Sequence, residues 1–432
     1  MKKVGFITLG CKVNIYESNA LKNELIDNGF IISDADEICD VYIINTCSVT
    51  NMADAKSRKM IRKVIKMNPN AIICAMGCYV QTNEEAKNID GVDILVGNGN
   101  KKVVVEEIIK RLNAPKEPKY VNILDILNTH DYEPLDVTTY DHTRAFVKIE
   151  DGCENFCTYC IIPYARGPVR CKAQDDVINE LKRITDMGYL EVVLAGIHTG
   201  RYMDKGTNLS GLIKRILNEV PKLKRLRLSS IEINEVDNEF IELMRNNDIL
   251  ANHLHLPLQA GSDLILSKME RKYDTKYFLD RINKIRAARP DISITTDVIV
   301  GFPYETNKEY QETKSFIKKV GFSKLHVFPY SMRKGTKAVD MPQVHDATKK
   351  ERALELIEYS KYLEREYSNR FIGSKLEIII EQALDDQYMV GHTSNFLQVV
   401  MDLDSNLIGK NALVTITEIK DLKVYGKIEK NM

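Results

Sequence analysis

The chain has 432 residues, 44% hydrophobic and 28% charged, with 61 basic side chains balancing 61 acidic ones. This composition excludes a disordered or fibrous protein. A formal net charge of zero excludes a field that would steer a polyanion, so any nucleic-acid surface has to be a local patch.

The length predicts about three domains at roughly 150 residues each. Nine cysteines, an odd number in a long chain, argue against a dense disulfide framework. The opening MKKVGFITLGC has a superficial likeness to a lipoprotein signal. Only about six apolar residues precede Cys11, however, against the roughly 7–15 of a signal core, and Lys12 follows at once. No run approaches the roughly 18 apolar residues of a membrane span. The reading is a cytoplasmic protein with no membrane partner, in which thiols stay reduced and clustered cysteines mean metal or catalysis.

Residues 1–112 alternate short apolar runs (VGFITLG, DVYIIN, AIICAMG, DILVG) with helical patterns beginning near Asn14, Asn51, Thr82 and Asn100. The alternation predicts an α/β domain with an open parallel sheet. Residues 113–141, rich in Pro, Lys, Asp and Thr, read as a linker. Residues 142–370 hold six strand candidates (RAFVKIE, LEVVLAG, KRLRLSS, HLHLPLQ, ISITTDVIVG, KLHVFPY) separated by helical segments, and end in one long charged helix. Six βα units predict a partial TIM-like barrel with its active site at the carboxyl ends of the strands. Over 371–432 the short strands KLEIII, YMVGHTS, FLQVVM, ALVTITEI and VYGKIE predict a small β-barrel.

The strongest chemical signal is Cys153-Glu-Asn-Phe-Cys157-Thr-Tyr159-Cys160, in the loop after the first strand of the predicted barrel. Three thiolates hold three irons of a [4Fe–4S] cluster and leave one open, whereas a ferredoxin supplies four cysteines. A structural zinc site is the plainer alternative, but it wants a fourth ligand nearby, and Cys171 lies beyond Pro163 and Pro168. The spacing resembles the signature of radical S-adenosylmethionine (SAM) enzymes. There the open iron chelates SAM, and an electron from the cluster cleaves it to a 5′-deoxyadenosyl radical. Later segments fit the same reading. Gly196 resembles the glycine turn beside the SAM amino group. Ser229, Ser230, Glu232 and Gln259 are candidates to hold ribose hydroxyls. Asp297 to Glu305 resembles a fifth-strand motif whose apolar edge, at Ile299, packs on adenine. Each of these residues also has an ordinary structural explanation.

Cys11, Cys47 and Cys78 each come at or just after the end of a predicted strand, and in a parallel sheet those ends converge on one crevice. Three buried cysteines without metal are the bland alternative. The downstream triad favours a second cluster. Cys39, Cys74 and Cys171 are left over; Cys74, inside an apolar strand, reads as a small hydrophobe and is the rival to Cys78.

TLGCKVNIYES, INTCSVT, MGCYVQ, GCENFCTYCIIPYARGP, HLPLQAGS and DVIVGFPYET together resemble the methylthiotransferases, over essentially the whole chain, with a TRAM-like C-terminal barrel. Lys-Val-Asn after Cys11 is most similar to the branch acting on N6-threonylcarbamoyladenosine at tRNA position 37. Sister branches act on isopentenyladenosine in tRNA or on a ribosomal protein. The resemblance implies an auxiliary cluster on Cys11, Cys47 and Cys78, a SAM cluster on Cys153, Cys157 and Cys160, and exchange of an adenine C–H for C–S–CH₃. It also implies a reducing electron donor and a sulfur source that the sequence does not identify. Asn14 and Glu17 are placed to line the auxiliary site, although capping is an equally good account of Asn14. A cluster-containing redox or regulatory RNA-binding protein is the alternative of a different class.

For RNA, Lys56, Lys59, Lys63 and Lys66 repeat at helical spacing with Arg58 and Arg62 beside them, a phosphate-contacting stripe or simply a solvated face. Lys222, Lys224, Arg225 and Arg227 form a second basic cluster. Arg166 is a candidate contact for substrate phosphate or for the SAM site. The tail is acidic, with six Lys, no Arg and nine Asp plus Glu over 371–432. It either meets RNA through a local surface such as His392, Asn395 and Phe396, or mainly contacts the other domains.

Overall fold

The apolar runs at the start of the chain pair into one parallel sheet. A computed structural model describes residues 1–114, 118–140 and 143–431. Strands β1 (Lys3–Thr8), β2 (Ile31–Ser33), β3 (Val41–Thr46), β4 (Ile72–Gly77), β5 (Ile94–Val96) and β6 (Tyr120–Asn122) lie in the order β2-β1-β3-β4-β5-β6, all parallel. β3 is buried at every position, as befits a central strand covered on both faces. Helices α1 (Lys12–Asp27), α2 (Asn51–Met67), the single turn α3 (Cys78–Thr82) and α4 (Val103–Asn113) connect or follow the strands. Thr82 ends α3 rather than starting a helix, and a 3₁₀ turn follows at Glu84–Asn88. β2 went unrecognised because three residues carry no periodicity.

The stretch read as a linker differs from that expectation. Its residues 120–122 form β6, paired with β5, and Leu135, Val137 and Tyr140 are buried in the core of the large barrel. Isolated apolar residues among Pro, Lys and Asp anchor an extended segment without producing a period. Residues 115–117 and 141 of that stretch, and residue 142 at the predicted start of the barrel domain, lie outside the described residues.

The second region opens with β7 (Arg144–Lys148) and the short antiparallel pair β8 (Glu150–Asp151) and β9 (Arg170–Cys171). It continues through β10 (Glu191–Ala195), the hairpin β11 (Met203–Asp204) with β12 (Thr207–Asn208), β13 (Arg225–Leu228), β14 (His253–His255), β15 (Ser293–Val300) and β16 (Lys324–Pro329). The six predicted strands form two parallel three-stranded walls, β13-β10-β7 and β14-β15-β16, joined by a bridge between Leu226 and Leu250. This is the open partial barrel. Helix α5 (Ile162–Arg166) leaves the cysteine loop. Helices α6 (Gln174–Asp186), α7 (Leu209–Glu219), α8 (Asn238–Asn246), α9 (Asp263–Lys268), α10 (Thr275–Ala288) and α11 (Asn307–Val320) follow in turn. The long α12 (Asp346–Asn369) runs along β16, with Ser360 Oγ bonded to the backbone N–H and C=O of Leu325.

The tail closes as β17 (Lys375–Ala383), β18 (Tyr388–Thr393), β19 (Gln398–Asp402), β20 (Asn411–Lys420) and β21 (Lys423–Asn431) in the barrel order β17-β18-β19-β21-β20. Among the described residues no helix is long and apolar enough to cross a membrane.

Candidate active site

The order β2-β1-β3-β4 reverses direction between β1 and β3, and such a switch point opens a crevice at the carboxyl ends of the strands. Cys11 follows β1, Cys47 follows β3 and Cys78 follows β4, in strands paired in register at Thr8 with Asn45 and Thr46 with Gly77. Gly10 and Gly77, each just before a cysteine, have φ of +96°. A Cβ on Gly10 would lie 2.9 Å from Cys47 Sγ, and one on Gly77 would lie 2.7 Å from Asn45 Oδ1. Only glycine allows both the turn and the close approach. Asn14 does not cap its helix: its Nδ2 donates to Leu9 O at 2.6 Å and Thr46 O at 3.1 Å, tying the β1 and β3 ends together. Asn98 Nδ2 donates to Cys78 Sγ at 3.3 Å and to Ala165 O at 2.8 Å. Cys74 lies mid-strand, fully buried in the apolar core, and away from this edge.

The second triad sits in the loop after β8. Cys153 Sγ is 3.5 Å from His198 Nδ1, whose Nε2 is 2.6 Å from Glu235. Arg271, whose side chain is 3% exposed, donates to Cys157 Sγ and to Tyr159 Oη, both at 3.4 Å, and pairs with Glu232. Gly196 ends β10, where a Cβ would meet Glu150 Oε2 at 2.6 Å. Burial pushes the Glu150 carboxyl up to about 8, against the hydrogen bond its Oε2 accepts from the His198 N–H at 2.7 Å. Its Oε1 is buried with no hydrogen-bond partner among the described residues. Ser229 follows β13. Gln259, at φ +65°, bridges to β15, where its N–H donates to Asp297 O and its C=O accepts from Ile299, both at 2.8 Å. Asp297 is 3.3 Å from His255. Cys171 Sγ points instead to the backbone of Met203 and Arg201.

Three thiolates in each triad match the donor chemistry of a [4Fe–4S] cluster with one open iron, which takes one thiolate per iron. Burial pushes the Cys47 thiol up to about 11 and the Cys160 thiol up to about 12, so iron binding has to release protons.

Between the triads lies a buried ionic network. Arg166, at the end of α5, is fully buried and bonds Glu17 at 2.7 Å, Asp151 at 3.3 Å and Asn14. Lys101 at 3.1 Å and Lys148 at 3.5 Å also reach Glu17, and Arg170 reaches Asp151 at 3.7 Å. These four buried cations face only two buried carboxylates. The guanidinium of Arg166 is held charged against its burial by Cys78 first, then Glu17, Asp151 and Cys11. Cluster thiolates would supply the missing negative charge. Burial tends to raise the Glu17 pKa, but Arg166, Lys101 and Lys148 outweigh it and hold the carboxyl well below its ordinary range. Arg166 is therefore no phosphate contact, since a surface with no exposure cannot meet RNA.

The second basic cluster is corrected in its two arginines, while Lys222 and Lys224 are exposed. Arg225 and Arg227 are buried on Glu191 at 3.1 and 2.7 Å and donate to the backbone carbonyls of His392, Thr393 and Ser394. They dock the C-terminal barrel onto the amino-terminal rim of the large barrel, and His392 and Asn395 are buried there. Lys56, Lys59, Arg62, Lys63 and Lys66 are exposed along α2, with Lys63 paired to Asp36.

Residues that the sequence reading missed are Arg271, His198, Glu150 and Asn98. Asn98 follows β5 as the cysteines follow their strands, a signal that was available. Arg271 follows α9 with no local pattern to mark it.

The family described as Uncharacterized protein family UPF0004 matches residues 3–97, and the Radical SAM superfamily matches residues 147–317. The Threonylcarbamoyladenosine tRNA methylthiotransferase MtaB of Bacillus subtilis is 43% identical over 433 residues, covering 98% of this chain and 94% of that protein. A tRNA-2-methylthio-N(6)-dimethylallyladenosine synthase of Thermoanaerobacter sp. is 35% identical, covering 98% and 91%. The solved structure of the radical S-adenosylmethionine methyltransferase TsrM from Kitasatospora setae, with cobalamin and a [4Fe-4S] cluster bound, shares the fold at a TM-score of 0.57 and 14% identity, over 78% of this chain and 77% of that one. With its two cysteine triads, its parallel sheet and its open barrel, the chain belongs to the tRNA methylthiotransferase family of radical SAM enzymes.

Proposed function

We propose that this protein acts in the cytoplasm on N6-threonylcarbamoyladenosine at position 37 of tRNA and replaces its C2–H with a methylthio group. Cys153, Cys157 and Cys160 would hold a [4Fe–4S] cluster, and Cys11, Cys47 and Cys78 would hold a second. When bound, these groups supply one-electron cleavage of SAM and a site for the sulfur, with electrons from an external reductant. An aromatic C–H has no useful acidity, so an acid–base pair would not open it.

The chain's own residues position these groups. Arg271 lies against Cys157, Tyr159 and Glu232 and fixes that loop. Ser229, Glu232 and Gln259 are the ribose-side groups, Ile299 the adenine-side group, and Gly196, which lets Glu150 and Thr199 approach its backbone, marks the SAM amino end. Arg166 and Lys101 fix the loops of the two triads against each other. Lys56, Lys59, Arg62, Lys63 and Lys66 contact tRNA phosphates.

The observation that carries this reading is the buried cationic excess between two cysteine triads at strand ends. Anaerobic reconstitution tests it. About eight irons should fall to about four in a Cys11/Cys47/Cys78→Ala variant, and tRNA from a deletion strain should lose 2-methylthio-N6-threonylcarbamoyladenosine. Four irons in both proteins, or unchanged tRNA, would sink it. The second reading, dimethylallyladenosine as substrate, rests on the 35% identical relative.

A further inference from the structure

Lys12, the residue after Cys11, is the first residue of α1, is exposed, and has no hydrogen bond or ion pair among the described residues. It lines a cavity of about 410 Å³ inside the open barrel, with Arg144, Arg227, His255, His326 and Phe396 on its walls. The guanidinium groups of Arg227 and Arg144 lie over one face region of the Phe396 ring, at 4.6 and 5.4 Å from its centroid. Arg227 is occupied by Glu191 and by carbonyls of the C-terminal barrel. Arg144 gives only its Nε to Glu381, at 3.3 Å, and its terminal nitrogens have no bond among the described residues. Of the acids near this space, Glu364 is paired with Lys324 at 2.9 Å, whereas Asp297 meets only His255, at 3.3 Å. Two underused cations against that one carboxylate leave the space net positive, which favours an anion.

We infer that Lys12 and Arg144 form the subsite that receives the carboxylate of the threonylcarbamoyl group while the adenine stays at the cavity mouth beside Cys11 and Ser229. The inference rests on the proposed substrate and deepens it. Threonylcarbamoyl ends in a carboxylate and a hydroxyl, which the cations and His326 can pair. An isopentenyl group would leave every one of these polar groups desolvated and unmatched, a strong basis for rejection.

The test uses the full, reconstituted chain and synthetic anticodon stem–loops bearing threonylcarbamoyladenosine, its terminal carboxamide analogue, or isopentenyladenosine. Fluorescence anisotropy reads binding and product analysis reads conversion. Wild type should bind the carboxylate about tenfold more tightly than the carboxamide. Lys12→Met should erase that preference by weakening the carboxylate alone, and Lys12→Arg should restore it. Lys12 has no structural partner, so the fold should tolerate both changes. A preference that persists in Lys12→Met, or an equal loss on both loops, would overturn the subsite. Weakened SAM binding in Lys12→Met without RNA would assign the charge to the carboxylate of SAM and overturn it too. Wild type that prefers the carboxylate in binding but converts only isopentenyladenosine would refute the substrate reading and leave the subsite standing.

Discussion

Arg166 Nη1 donates to Glu17 Oε1 at 2.7 Å with both side chains fully excluded from solvent, and this one bond joins the loop of the second cysteine triad to the helix that starts at the first. The two residues are 149 positions apart in sequence. Removing the guanidinium takes away its bonds to Glu17, Asp151 and Asn14 while Lys101 and Lys148 still face Glu17, so the cost is that of lost hydrogen bonds between charged groups, about 1.5–3 kcal/mol each. Arg166→Leu should therefore lower the urea midpoint markedly. A midpoint within error of wild type would show that the network adds nothing to stability.

The same network fixes a pH dependence. Glu17 titrates below its unfolded value of about 4.3. A depressed folded pKa gives stability that is complete above the unfolded value and is lost as pH falls toward the folded one. Wild type should thus lose stability between about pH 5 and 3, and Glu17→Gln should show a shallower slope there. Equal slopes in the two proteins would remove Glu17 from the acid response.

Gly10→Ala places a methyl group 2.9 Å from Cys47 Sγ at a residue with φ of +96°. Backbone strain of this kind costs about 1–3 kcal/mol, and the displaced sulfur should weaken the N-terminal cluster. The expected outcome is iron falling from about eight toward four per chain, with 5′-deoxyadenosine formation retained. Full iron content in the variant would show that the approach of Gly10 to Cys47 is not required.

Lys59 and Arg62 stand exposed on α2. The double change to Glu should weaken tRNA binding and flatten its dependence on log salt by about 1–2 units. Thermal stability should stay within about 0.5 kcal/mol, as for most surface changes. An unchanged salt slope would assign α2 to solvent.

Phe396 reaches from the C-terminal barrel to Arg144, Arg227 and His253, stacking on the last at 4.7 Å. Phe396→Ala removes cation–π contacts worth about 1–2 kcal/mol. Limited proteolysis should then release the C-terminal barrel faster than from wild type. Equal rates would place the docking energy in the polar contacts, such as those of Arg225, Arg227 and Arg144.

The strands β1, β3, β4 and β5 and the six barrel strands were legible because each is an apolar run bounded by turn residues. The placing of Cys11, Cys47 and Cys78 at one sheet edge was legible because strand ends in a parallel sheet converge whatever the loops do. β6 was hidden by its three-residue length and the polar stretch around it.

Sequence alone determined the covalent and local facts: which thiols follow which strands, where periodicity changes, and the spacing of Cys153, Cys157 and Cys160. Tertiary structure alone decided the fate of the charges. Arg166, Arg225 and Arg227 read as basic in the sequence exactly as Lys59 and Arg62 do, yet the first three are buried on Glu17, Glu191 and backbone carbonyls. A charge pairs with whatever the fold brings within a few ångströms, and those partners lie 34 to 167 residues away. No local window of sequence contains them.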